Sequence, residues 1–80
     1  MVMDIQEKVI QVLVNILQVS PDKISIKTTS DDIEQWDSLN HTNMIQALEQ
    51  EFGIRYDLEQ VVSMLSVREI IEATKGKLGL

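Results

Sequence analysis

Eighty residues, 44% of them apolar, with 7 Lys and Arg against 13 Asp and Glu and a net charge of −6, fit one small domain. A single modest core leaves no room for a second domain or a deep catalytic pocket, so a self-contained enzyme is not expected. The lack of cysteine removes disulfides, thiolate zinc sites and thiol nucleophiles, and the acidic balance argues against nucleic acid and anionic membrane, which reward clustered Lys and Arg.

Met1-Val2-Met3-Asp4 lacks a basic leader, and runs such as Val12-Leu13-Val14 fall far short of a membrane span. A cytoplasmic protein without membrane insertion is expected. From Asp4, the residues Ile5, Val9, Val12, Leu13 and Ile16 lie within about 100° on a helical wheel, which predicts an amphipathic helix over 4–18. Asp4 with Glu7 resembles a capping box. Ser20-Pro21 reads as a turn, or as the N-cap and first position of one helical turn. The connection beyond, through Ile24, Ile26 and Ile33, is polar with apolar pins and longer than most inter-helix links.

Trp36-Asp37-Ser38-Leu39 opens a second helix over 38–52, with His41, Met44, Ile45, Leu48 and Phe52 on one face and Gly53 as its stop. Asp57 caps a short third segment carrying Leu58, Val61, Val62 and Leu65. Ser66-Val67-Arg68-Glu69 is a capping box before Ile70, Ile71 and Thr74, and Gly76 is the expected end of the last helix. The predicted fold class is all-α: an antiparallel four-helix bundle of three main helices and one short, with a long loop between helices one and two. It forms a single domain over 1–80 and a monomer. Ile24-Ser25-Ile26-Lys27 alternates like a strand but is too short to build a sheet.

Between Thr28 and Ile54 stand Asp31, Asp32, Glu34, Asp37, Glu49 and Glu51 and no Lys or Arg, so the whole net charge sits in the middle third. A solvated acidic loop is the commoner meaning of such a run, and a face for a cationic protein is the alternative. Uncompensated acids on a small core also predict that salt or divalent cations raise the melting temperature modestly.

Trp36-Asp37-Ser38-Leu39 places a hydroxyl in the first turn of a helix, beside an acid. Asp37 can simply cap the helix, leaving Ser38 incidental. A nucleophilic Ser38 with His41 as base and Asp37 as orienter is poor geometry, because groups so close along one helix do not line up as hydroxyl, imidazole and carboxylate. Without Cys or a second His a transition-metal site is not expected, and Asp31, Asp32, Glu34 and Asp37 lack the mid-loop glycine and spacing of a calcium loop. Taken alone the capping reading is the commoner one, and covalent modification of Ser38 is the third. A phosphate ester there would meet unsatisfied N–H groups and the positive end of the helix dipole.

Asp37-Ser38-Leu39, preceded by the acidic loop and followed by Met44-Ile45-Gln46-Ala47-Leu48-Glu49-Gln50-Glu51-Phe52-Gly53-Ile54, resembles the acyl carrier proteins over essentially the whole chain. The resemblance implies a non-catalytic four-helix carrier without a metal of its own. Ser38, flanked by Asp37 and Leu39, would receive 4′-phosphopantetheine from coenzyme A through a phosphopantetheinyl transferase, and the arm's thiol would hold an acyl group as a thioester. Leu39 would project beside the arm for docking, and Trp36, Leu39, Asn40, Asn43 and Met44 are the expected partner contacts. Ile45, Ile54 and Val62 would line a space between helices two and three where cargo could shelter. The implied partners are acyl-transferring, synthase or ligase enzymes with basic or amide-recognising surfaces.

Two features depart from the family pattern. Trp36 stands where many carriers have a small residue, and Asn40 and Asn43 occupy positions that are commonly acidic in fatty-acid-synthesis carriers. With Gln46 and Gln50 also neutral, the second helix gives little long-range steering. A specialised carrier of a lipid or secondary-metabolite pathway is therefore expected. The alternatives are an aminoacyl or hydroxyacyl carrier of the same fold, an unmodified acidic adaptor docking through helix two and, remotely, a small serine hydrolase.

Overall fold

Asp4 opens the first helix by accepting the Gln6 N–H at 2.9 Å, and α1 runs Ile5–Leu17. The bond goes to Gln6 and not to Glu7, so the expected capping box is a plain aspartate cap. The computed structural model describes residues 4–80; the leader expectation attached to residues 1–3 lies outside them. Three further helices follow: α2 (Ser38–Phe52), the short α3 (Leu58–Ser63) and α4 (Val67–Leu78). Among the described residues there is no strand, and the isolated bridge between Thr29 and Ser66 stands alone, so the chain is all-α.

Helix α1 packs against both α2 and α4. Val9, Leu13 and Leu17 meet Met44, Ile45 and Leu48 of α2 and Val67, Ile70 and Ile71 of α4 in one buried cluster. Ile5, Val12 and Ile16 flank it half-buried, as their position on the α1 stripe predicts. Gln18 ends α1 in the left-handed region at φ 57°, with its N–H on Val14 O at 2.9 Å. A side chain there costs about 1–2 kcal/mol that glycine would not.

Pro21–Lys23 forms one 3-10 turn and Ser30–Asp32 a second. Between and after them Ile24 and Ile33 are buried, so the long connection is nailed down at the apolar residues the sequence offers. Its middle is tied to the start of α4: Ser30 N donates to Leu65 O at 2.8 Å and Val67 N to Thr28 O at 3.0 Å. This cross-link brings the acidic loop, α3 and the head of α2 to one end of the bundle.

One helix boundary needs correction. The last helix does not stop at Gly76 but continues to Leu78 and closes at Gly79, whose φ of 76° is the left-handed turn a helix end requires. Gly76 stays inside the helix, and Lys75 and Lys77 in the last turn suit its negative pole. The third segment contributes little to the core: Leu58 is 79% exposed and Val62 65%, and Leu65 is exposed as well. A six-residue helix on the rim buries none of its residues, while Met64 and Tyr56 at its two ends reach inside instead.

Tyr56 carries a pH prediction. Thr74 Oγ1 donates to Ile70 O at 2.7 Å, so the 2.6 Å contact between Tyr56 and Thr74 has the phenol as donor. Burial pushes the Tyr56 hydroxyl above its usual range, and the Glu49 carboxylate adds to the rise; a Thr74 hydroxyl turned toward a phenolate offsets part of it. A folded pKa above the unfolded one gives stability that is complete below about pH 10 and is lost as pH climbs through the folded value. Alkaline unfolding followed by circular dichroism is expected to be delayed in Tyr56→Phe, despite a loss of about 1 kcal/mol at neutral pH. An unchanged alkaline limb in that variant would contradict the assignment.

Candidate functional site

Asp37 holds the head of α2. Its carboxylate accepts the Asn40 N–H at 2.9 Å while its carbonyl accepts the His41 N–H at 2.8 Å. The N–H groups of Ser38 and Leu39 are in the first turn and have no intrahelical partner. Ser38 is the first helical residue and is exposed, and Leu39 beside it is 71% exposed. An ester phosphate on that hydroxyl would meet free N–H groups and the helix dipole, so the residues present fit a phosphodiester.

An open cleft of about 460 Å³ adjoins the hydroxyl, lined by Ser38 with Trp36, His41 and Thr42 on one side and Val61, Val62 and Leu65 on the other. Among its lining residues Trp36 is buried and His41 half-buried. Trp36 Nε1 can only donate, and it lies 3.0 Å from His41 Nδ1, which must therefore accept. The hydrogen of the imidazole is then on Nε2, which donates to Val61 O at 2.6 Å. The two rings stack at 6.3 Å between centroids with 20° between planes. Both imidazole nitrogens are engaged away from Ser38, so His41 is in no position to act as its base, and the hydrolase reading loses its second residue.

Of the expected partner contacts, Leu39 and Asn43 are exposed. Met44 is fully buried and Trp36 is only 6% exposed, so neither offers a surface to a partner; Met44 sits in the α1–α2 interior and Trp36 pins the loop. Asn40 is half-buried and spends its amide N–H on Gln35 O at 2.9 Å, closing the loop onto the helix. Ile45, Ile54 and Val62 do not share one space: Ile45 is in the core, Ile54 borders a cleft with Gln46 and Arg55, and Val62 borders the one at Ser38. Sequence missed the His41–Val61 bond, for which a lone tryptophan five residues before a lone histidine is the sole local signal.

The acidic third is less free than its composition suggests. Asp32 accepts the Thr29 N–H at 2.9 Å, Asp37 caps α2, Glu49 accepts the Tyr56 N–H at 3.0 Å, and Glu51 pairs with Lys8 at 3.3 Å. Among the described residues no group of three or more His, Asp or Glu could hold a metal ion. Sodium and magnesium chloride at equal ionic strength are therefore expected to raise the melting temperature by the same small amount. A rise in millimolar magnesium that sodium does not reproduce would contradict this. No helix among the described residues is long and apolar enough to cross a membrane.

The small helical bundle thus presents an exposed serine at the head of α2 with an open cleft beside it. The family described as "Phosphopantetheine attachment site" matches residues 7–74. The acyl carrier protein of Nitratidesulfovibrio vulgaris (strain DSM 19637 / Miyazaki F) is 31% identical over 75 residues, covering 94% of this chain and 99% of that protein. That of Thermosynechococcus vestitus is 28% identical over 74 residues, covering 92% and 91%. The chain belongs to the acyl carrier protein family, whose prosthetic group is phosphopantetheine.

Proposed function

We propose that the chain is a non-catalytic, cytoplasmic carrier that bears 4′-phosphopantetheine on Ser38 Oγ and presents an acyl thioester to successive enzymes, in a specialised pathway. The observation that carries this reading is the exposed Ser38 at the capped head of α2, beside an open cleft. With no base of its own, the hydroxyl waits for a phosphopantetheinyl transferase and that enzyme's metal ion. The arm's terminal thiol forms the thioester, and tethering raises the cargo's effective concentration at each partner. Incubation with a broad-specificity transferase and coenzyme A is expected to add one phosphopantetheine to the native chain and none to Ser38→Ala. A folded native chain that takes no adduct would overturn the reading.

The pathway part of the proposal rests on the neutral outer face of α2. Glu49 is tied to Tyr56 N and the exposed Glu51 pairs with Lys8, and the other exposed polar side chains of α2, Ser38, Thr42, Asn43, Gln46 and Gln50, are uncharged. Partners are then found through shape and amides around Leu39 and Asn43 more than through charge. Malonyl loading by a fatty-acid-synthesis acyltransferase is expected to be slow and nearly salt-independent. Asn43→Glu with Gln46→Glu is expected to speed it about tenfold and to add a steep salt dependence. Asn40 is left alone because it holds Gln35 O. A native chain that already matches a housekeeping carrier on rate and salt slope would remove the pathway assignment.

A further inference from the structure

The seam between α2 and α3 next to Ser38 is closed by hydrogen bonds that use side chains the carrier role itself does not require. Helix α3 buries none of its residues, so packing alone holds it weakly. Its last-turn carbonyls need partners from outside the helix. Leu65 N, which would continue the helix by bonding Val61 O, turns to Ser63 O at 2.9 Å instead. His41 Nε2 takes the vacated place on Val61 O at 2.6 Å, and Trp36 Nε1 holds the other imidazole nitrogen at 3.0 Å. One imidazole thus joins the acidic loop, α2 and α3 in a single chain of bonds. Met44, Leu48 and Met64 belong to the buried core cluster of the bundle.

We propose that the Trp36–His41–Val61 seam bars tethered cargo from the bundle interior, so that this carrier is built for short acyl groups held in the open cleft and not for long aliphatic chains. The inference rests on the carrier reading at Ser38. A chain entering between α2 and α3 from Ser38 must part His41 from Val61 O or Trp36 from His41, and either break leaves a half-buried polar group unpaired. The cleft outside the seam has room for the arm's end and a few carbons, with the hydroxyls of Ser30 and Thr42 at its edge. A long chain there leaves its methylenes in water and gains no burial. His41 is a positioning residue in this scheme: it acts through α3 and touches no reacting atom.

The test loads native protein, His41→Ala and His41→Gln with acetyl- and octanoyl-phosphopantetheine through a transferase, then follows thioester cleavage by hydroxylamine with intact mass. In the native chain the two cargoes are expected to be cleaved at rates within a factor of about two, because neither spends time inside. His41→Ala opens the seam, and its octanoyl form is expected to be protected about fivefold or more over its acetyl form. His41→Gln keeps one acceptor and one donor and is expected to behave like the native chain. Octanoyl protection of about fivefold in the native chain would overturn the proposal. Equal cleavage of both cargoes in a folded His41→Ala would overturn the role of the seam. If His41→Ala does not fold, the native comparison decides alone. Failure of any arm to attach would instead overturn the carrier reading, an outcome visible in the mass before hydroxylamine is added.

Discussion

Replacing Trp36 with alanine is expected to lower the free energy of unfolding by about 3–5 kcal/mol, the usual loss when a buried tryptophan is truncated. For a small domain with about 5–15 kcal/mol in total, that is a large share of its stability. Trp36 is buried against the cluster formed by α1, α2 and α4, at the point where the long loop turns into α2, and its N–H is on His41. The alanine would leave a void, free the loop at its last apolar pin and orphan His41 Nδ1. Trp36→Phe separates these effects: it keeps most of the apolar contact and loses the donor, so it should cost about 1–3 kcal/mol. Urea unfolding followed by far-ultraviolet circular dichroism reads both. A loss below about 1 kcal/mol in Trp36→Ala would mean that the residue lies on the bundle without holding it.

Ser38→Ala is expected to remove loading completely and leave the fold untouched. No hydrogen bond to another described residue engages the Ser38 hydroxyl; its carbonyl accepts the Thr42 hydroxyl at 3.2 Å, which alanine preserves. Alanine is also the better helix former, so the variant should be as stable as the native chain or slightly more so. Asp37→Ala gives the opposite pattern. It removes the cap on Asn40 N and costs about 1 kcal/mol, yet the Ser38 hydroxyl remains for the transferase. Loss of loading in Ser38→Ala together with a lowered melting temperature would show that the serine is part of the scaffold and would weaken its assignment as the attachment point.

The elements read from sequence were those with local causes. Asp4, Asp37 and Ser66 cap helices, and Gly53 closes α2 at φ 64°, because capping depends on a few adjacent residues. Gly76 and Gly79 were indistinguishable in sequence, since either can adopt a left-handed turn and packing of Ile70, Ile71 and Thr74 decides how far the helix runs. Met44 lay on the core face of the helical wheel yet close enough to Ser38 to be counted as a contact; burial resolves that in favour of the core. A lone aromatic beside an ordered loop more often pins that loop than meets a partner, yet Trp36 also counted as an expected contact because both uses favour one large aromatic, and its burial decides for the pin. The cleft was least legible. It depends on the Thr29–Ser66 bridge and on His41 reaching Val61 O, pairings between residues far apart in the chain.

The most direct test of the central claim is the mass of the Ser38-containing peptide from protein isolated from the cell that naturally makes it. The expected result is a peptide carrying one phosphopantetheine, part of it bearing an acyl group that hydroxylamine removes. The carrier assignment would be contradicted if that peptide were unmodified in every molecule of folded protein, or if the arm were found on another residue.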